Sequence, residues 1–290
     1  MEKYKASIII PTFNRSTLLN MTLKSILKQN IDKNEFEVII VDDGSSDNTS
    51  EVVQLFQHQL NIKYFFQQHH GFRAASARNI GIKNSSGTIC IFVDSGILLA
   101  SNCVSNQISL HNKNINSALI GYVYGFDEFN ENANKLLDLN INPLNVDNYF
   151  DYLENNQILD SRESLYKQLG DDLTRWPAPW VIFYSAYISV KRSILLNLGM
   201  FDETFNSWGA EDIDLGITLY KNNIQILLDR NLKCIHYPHP KFKSKFTDDE
   251  IKKYTQKKKE YLNQKHHLFS TQQFIYTDSK NLNQLLLNMN

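Results

Sequence analysis

Acidic residues that could do chemistry stand at the ends of two short apolar runs and at the start of one helix. Thr88 to Val93 reads as a strand apolar on both faces that stops on Asp94-Ser95-Gly96, a carboxylate, a hydroxyl and a residue free to turn. Glu37 to Val41 stops on Asp42-Asp43-Gly44-Ser45-Ser46-Asp47. Clustered carboxylates repel unless a cation or a donor compensates them, so either some face away or the edge binds something. A third group, Glu211, Asp212 and Asp214, gathers at the start of a helix whose apolar positions are Ile213, Ile217 and Tyr220. The N-terminal dipole favours the ionised form there. That is either plain capping or a charged base, fixed on a rigid element, able to take a proton from a hydroxyl. Arg73 and Arg78, near the start of another helix, suit phosphate groups or are solvated helix charges.

A repeated pattern positions these groups. Ser7-Ile-Ile-Ile-Pro11 predicts a first strand ending on Thr12-Phe13-Asn14-Arg15. A helix follows with Leu18, Leu19, Thr22, Leu23, Ile26 and Leu27 in one stripe and Asn14 or Ser16 as N-cap. Next come the strand Glu37–Val41, a helix over Thr49–Phe56, a strand at Ile62–Phe66, a loop from Gln67 to Phe72 and a helix at about Arg73–Lys83. The strand Thr88–Val93 closes the series. Alternating strands and helices predict an α/β fold, a mainly parallel sheet with helices on both faces, whose strand ends share one ligand-binding edge. No G-x-G-x-x-G opens the first helix and no G-x-x-x-x-G-K-[ST] occurs, so a nucleotide must be held by side chains: acids for base and ribose, arginines for phosphates.

Residues 102–173 are rich in Asn and aromatics and predict short strands and a helical excursion, with no function read from them. After Trp176-Pro-Ala-Pro-Trp180, the run Val181–Val190 is strand-like, and Lys191–Leu198 is a short helix ended by Gly199. The tail carries many lysines on a helix at about Asp248–His267, either a solvated face or a contact for an anionic membrane surface or polyanionic acceptor. The apolar Leu282–Met289 segment could pack on the body or on a second copy in a homodimer.

The 290-residue chain can bury a substantial core, and a formal net charge of −1 gives no global case for nucleic acid. Cys90, Cys103 and Cys234 are too few and scattered for a disulfide framework. With no run of 18 apolar residues and no signal peptide, the expected location is cytoplasmic, with the inner membrane face as an alternative.

Four motifs carry a resemblance over roughly the first hundred residues: Ser7-Ile-Ile-Ile-Pro-Thr-Phe-Asn-Arg15, Val41-Asp-Asp-Gly-Ser-Ser-Asp47, Gly71…Ala77-Arg-Asn79 and Phe92-Val-Asp-Ser95. In this order and spacing they resemble glycosyltransferase family 2. Phe201-Asp-Glu…Trp208-Gly-Ala-Glu-Asp212 is similar to the acceptor motif of galactosyltransferase-like and chondroitin-polymerase-like members. The resemblance implies a GT-A fold, a UDP-sugar donor and inverting transfer of a hexose or N-acetylhexosamine to a carbohydrate or glycoconjugate acceptor. It divides the chain into a nucleotide-sugar half (1–100), an acceptor half of the same domain (101–240) and a basic helical extension (241–290).

By position, the resemblance puts Pro11, Phe13, Arg15, Asp43, Arg73, Arg78, Asp94 and Ser95 around the donor, with Asp43 at the uracil edge and Asp94 near ribose and metal. Asp212 becomes the catalytic base, with Glu211 positioning the acceptor or the base. Trp208 and Trp180 line the acceptor side, and Asp214 caps the helix. A divalent cation, Mn2+ or Mg2+, would be held by Asp94 and His236, with His239 the weaker candidate. The family pattern is aspartate–any–aspartate, and its second acid is here Gly96, so the cation must draw on diphosphate oxygens and water. A retaining N-acetylgalactosaminyltransferase-like enzyme and a non-catalytic sugar-nucleotide or carbohydrate-binding protein are the alternatives.

Overall fold

The computed structural model describes residues 3–126, 132–240 and 247–289. The lysines at 241, 243 and 245, part of the expected basic tail, lie outside the described residues. Eight strands form one sheet: β1 (Tyr4–Thr12), β2 (Phe36–Asp42), β3 (Ile62–Phe66), β4 (Gly87–Val93), β5 (Ile97–Leu99), β6 (Ser117–Tyr124), β7 (Tyr187–Lys191) and β8 (Gln225–His236). Their spatial order is β3-β2-β1-β4-β7-β6-β8-β5. The first four strands are parallel, whereas β7 runs antiparallel to both β4 and β6.

The parallel half follows from its sequence. Ile8, Ile9, Ile10, Val38, Ile39, Ile40, Ile91 and Phe92 are buried, as expected of strands covered on both faces. Their helices are α1 (Ser16–Leu27), α2 (Thr49–Phe56), α3 (Ala74–Asn84) and α4 (Cys103–Lys113). The stripe of α1 buries Leu18, Leu19, Leu23 and Ile26. Neither Asn14 nor Ser16 caps it: Arg15 is the N-cap residue and makes no side-chain cap bond. Instead Asp47, from the β2–α2 loop, accepts the Ser16 N–H at 2.9 Å, while Asn14 bridges to Ser45 and Ser46. A cap supplied across space ties the first two strand ends together.

The later half departs further from its reading. Helices α5 (Ala133–Asp138), α6 (Phe150–Asn155) and α7 (Glu163–Leu169) occupy the middle, and α8 (Arg192–Leu198) ends on Gly199 in the left-handed region, as expected. The strand-like run Val181–Val190 is instead a 3-10 turn at Pro179–Ile182 followed by β7. Continuous apolarity marks burial there rather than extension. Helix α9 (Glu211–Lys221) packs on that turn through Gly216, where a Cβ would stand 2.9 Å from Phe183 and 3.2 Å from Trp180.

The tail forms α10 (Asp248–His266), α11 (Phe269–Phe274) and α12 (Leu282–Asn288). A Thr247–Glu250 capping box starts α10. Leu282 and Leu286 are buried against the body, and Asn283 bonds both backbone groups of Ala178. Three lysines of α10 also turn inward: Lys258, Lys259 and Lys265 bond protein groups, while Lys252, Lys253 and Lys257 remain exposed. Among the described residues, no helix is long and apolar enough to cross a membrane.

Candidate active site

Register brings the parallel strand ends to one edge: Thr12 pairs with Asp42, and Asp42 with Phe66. Asp42 is spent on local structure, accepting from Ser45 N at 2.8 Å and Tyr64 Oη at 2.7 Å. Asp43 faces the loop after β3 instead. Its Oδ1 accepts from Gln67 Nε2 at 2.7 Å and from the Arg73 guanidinium at 2.9 Å. His69 lies 2.9 Å from the Asp43 carbonyl and stacks on Phe13, ring centroids 4.0 Å apart. Gly44 permits this approach: at φ +85° its added Cβ would be 2.5 Å from His69 N. Gln67 and His69 escape a motif-based reading, although the strand-end logic covers the loop that holds them.

At the centre, Arg78 of α3 joins the two halves. It donates to Asp94 at 2.9 Å and to Glu211 at 3.1 Å. Arg78 and Glu211 are only 3% and 4% exposed, whereas the Asp94 side chain is 41% exposed. The guanidinium expected at the phosphates is thus committed to two carboxylates 117 residues apart in sequence (positions 94 and 211). Its charged form is favoured: burial opposes it, and Asp94, Glu211 and Asp212 outweigh that. Arg73, the other expected phosphate ligand, is held by Asp43 and the Gln68 carbonyl. Arg15 donates to the Pro240 carbonyl and feels the charge of Asp94. Ser95 Oγ donates to the Pro11 carbonyl, fastening the turn after β4 to the end of β1.

Gly96 has φ +105°; its N–H donates to Thr22 and its carbonyl accepts from Tyr237 N–H. A side chain is disfavoured by that backbone angle, since Leu18 atoms stand an ordinary 3.5 Å or more from an added Cβ. The same bond to Tyr237 brings the end of β8 to this turn, where His236 pairs with Ile97. His236 is buried, with its ring edge-on to Phe126 and 4.9 Å from that of His239. Among the described residues, no group of three His, Cys, Asp or Glu side chains could hold a metal. Asp94 lies at this turn and His236 pairs with Ile97 three residues on, so the two expected metal ligands come from adjoining backbone.

Before α9, Gly209 and Ala210 both have positive φ and swing the chain into the helix. Asp212 accepts from Ile213 N–H at 2.8 Å and Ser185 N–H at 3.2 Å. Burial and neighbouring Glu211 push its carboxyl up to about 7, with Arg78 and the two N–H groups pulling the other way. The helix dipole therefore does not decide its charge, contrary to expectation: desolvation wins. Trp208 is 42% exposed on the loop before α9. Trp180 is corrected: at 0% exposure, packed edge-on against Phe274, it has no surface to offer an acceptor. Asp214 does not cap α9, whose N-cap residue is Ala210 with no side-chain cap bond; its carboxylate accepts from Lys265 and from His266, both at 2.8 Å, and so anchors α10.

A family model described as "Glycosyl transferase family 2" matches residues 7–188. Validoxylamine A glucosyltransferase of Streptomyces hygroscopicus subsp. jinggangensis is 32% identical over 235 residues, 80% of this chain and 55% of that protein. Chondroitin synthase of Pasteurella multocida is 30% identical over 74% of this chain and 23% of its own length. The chain thus spans about half the length of the first relatives it matches. Among solved structures, S. aureus TarS 1-349 in complex with UDP-GlcNAc aligns at TM-score 0.62 and 18% identity, over 88% of this chain and 65% of that one. Mannosyltransferase PcManGT from Pyrobaculum calidifontis, in complex with GDP-Man and Mn2+, aligns at 0.63 and 15%, over 98% and 74%. The shared fold is the GT-A fold.

Proposed function

Because the chain belongs to glycosyltransferase family 2, we propose that it is an inverting transferase moving a hexose or N-acetylhexosamine from a UDP-sugar to an acceptor hydroxyl. The observation that carries this reading is the Asp94–Arg78–Glu211 bridge, which sets the donor-side turn against the acid pair of α9. In this reading Phe13 and Asp43 receive the uracil, and Arg15, Arg73 and the Asp94 turn face ribose and diphosphate. Asp212 takes the proton of the acceptor hydroxyl as its oxygen attacks C1 from the face opposite the diphosphate. The C1–O bond breaks with its electron pair leaving on UDP, so no covalent intermediate forms. Asp94 and His236 would hold a divalent cation, which would supply charge neutralisation for the leaving diphosphate. Glu211 orients the acceptor and Trp208 walls its sugar ring. The relatives' names, a glucosyltransferase and a chondroitin synthase, support a hexosyl donor and a glycan-like acceptor.

The test begins with nucleotide sugars screened for thermal stabilisation, with and without Mn2+, since a ligand that binds the native state raises its melting point. Transfer with the stabilising donor should then give a β-linked product from an α-donor; an α-linked product would sink the inverting reading. The absence of a second acid at Gly96 favours one rival, a protein that binds sugar nucleotides without catalysis. Donor binding with neither transfer nor hydrolysis would select it.

A further inference from the structure

The basic helix α10 reaches the acceptor side through one face. Lys258, Tyr261 and Lys265, spaced as neighbours on a helix surface, all meet the segment Asp202–Asp214. Tyr261 contacts Thr204 and Asp202, each at 3.0 Å, and packs edge-on against Phe205. Lys265 bonds Asp202 at 2.6 Å. Lys258 stands closest to the chemistry. Its Nζ donates to the carbonyls of Ser207, at 3.5 Å, and Trp208, the two residues before the left-handed pair Gly209-Ala210 that leads into Glu211.

We propose that Lys258 is a positioning residue of the acceptor site, fastening the Ser207-Trp208 turn and presenting a cation to the Glu211–Asp212 pair. The inference rests on the transferase reading above only for the word acceptor. Two observations support it beyond the hydrogen bonds. Lys258 is partly buried, so its charge is poorly screened, and the charges it feels are those of Glu211 and Asp212. Burial lowers its own pKa while those two acids oppose the lowering. A cation held there without a direct carboxylate bond can bias the acids and leave their oxygens open to a substrate hydroxyl. The groups facing Asp212 are then Glu211 on its own helix, Arg78 from α3, Lys258 from α10, and Tyr184 with the Ser185 N–H from the turn before β7.

The test reads Asp212 directly. Its side-chain carboxyl carbon would be followed by NMR as pH is varied, with Asp212→Asn supplying the assignment. Lys258→Gln keeps a donor for the turn carbonyls and removes the charge; it should raise the titration midpoint of Asp212 by about one pH unit. Lys258→Arg keeps the charge and should leave the midpoint in place. Lys252→Gln, on the exposed face of α10, is the control and should change nothing. The acid limb of kcat/KM should follow the same pattern. An unmoved midpoint in Lys258→Gln, or an equal move in Lys252→Gln, would overturn the proposal. The NMR readout needs no sugar, so a protein that transfers nothing would refute the transferase reading while leaving the Lys258 result to stand or fall separately.

Discussion

Replacing Arg78 with methionine would remove the guanidinium that bridges the halves while filling much of the same volume. Glu211 is 4% exposed, and its second oxygen, Oε2, already lacks a partner among the described residues. Without Arg78 it becomes a buried, uncompensated charge. Asp94 is far better solvated and can return to water at little cost. Breaking a buried pair by deleting one partner costs about 3–5 kcal/mol. Because one of the two carboxylates is rehydrated, the lower end applies, about 3 kcal/mol. The guanidinium's contact with the Phe201 ring, 5.4 Å to the centroid, adds about 0.5 kcal/mol. Urea unfolding followed by fluorescence and circular dichroism together would measure the loss and check that the transition is two-state. Arg78→Met/Glu211→Gln should recover about half of it, since a neutral amide tolerates that site better than an unpaired carboxylate. If Arg78→Met costs under about 1 kcal/mol, or if Glu211→Gln gives no rescue, the bridge does not hold the halves together.

Further outcomes are expected at four positions. With the Asp212 carboxyl pushed up to about 7, the acid limb of kcat/KM should have its midpoint near that pH; a midpoint near 4 would remove the burial argument. The sign for stability follows. Unfolded, this carboxyl ionises at about 3.9, whereas folded it holds its proton up to about 7, so stability falls as pH rises through that window. Asp212→Asn should abolish transfer, spare donor affinity and flatten that fall, as read by urea unfolding at pH 5 and pH 8. Gly96→Asp restores the family's second acid on a backbone at φ +105° and should cost about 1–2 kcal/mol; an unchanged Tm with tighter Mn2+ binding would contradict the strain argument. Trp180→Phe should lower stability by about 1–3 kcal/mol and leave acceptor KM within about twofold, and a large KM effect would return Trp180 to the acceptor site. Asp214→Ala leaves Lys265 and His266 without their shared carboxylate and should destabilise the protein by about 3 kcal/mol, with faster amide exchange in α10.

What could be read without coordinates was whatever a short window of chain decides. The runs Ser7–Pro11, Glu37–Val41 and Thr88–Val93 are apolar on both faces because both faces are covered, and each lies within β1, β2 or β4. The helix from Thr49 to Phe56 and the stop at Gly199 rest on similarly local periodicity and turn chemistry. Acids at strand ends were expected along one edge, and the parallel register does align those ends. Tertiary structure decided what each of those acids is bonded to. Asp42 and Asp43 are adjacent in sequence, yet one is bound into its loop and the other faces Gln67, His69 and Arg73. Trp180 and Trp208 were both expected at the acceptor side, but the packing of Gly216 and Phe274 shows that the first is core. Arg78 could not be read as a bridge, nor Lys258 as a neighbour of Asp212, because each pairing closes a loop of many tens of residues. Desolvation, which sets the protonation of Asp212, belongs to no residue type or spacing. It exists only once α3, α9, α10 and the turn before β7 have packed around that carboxyl.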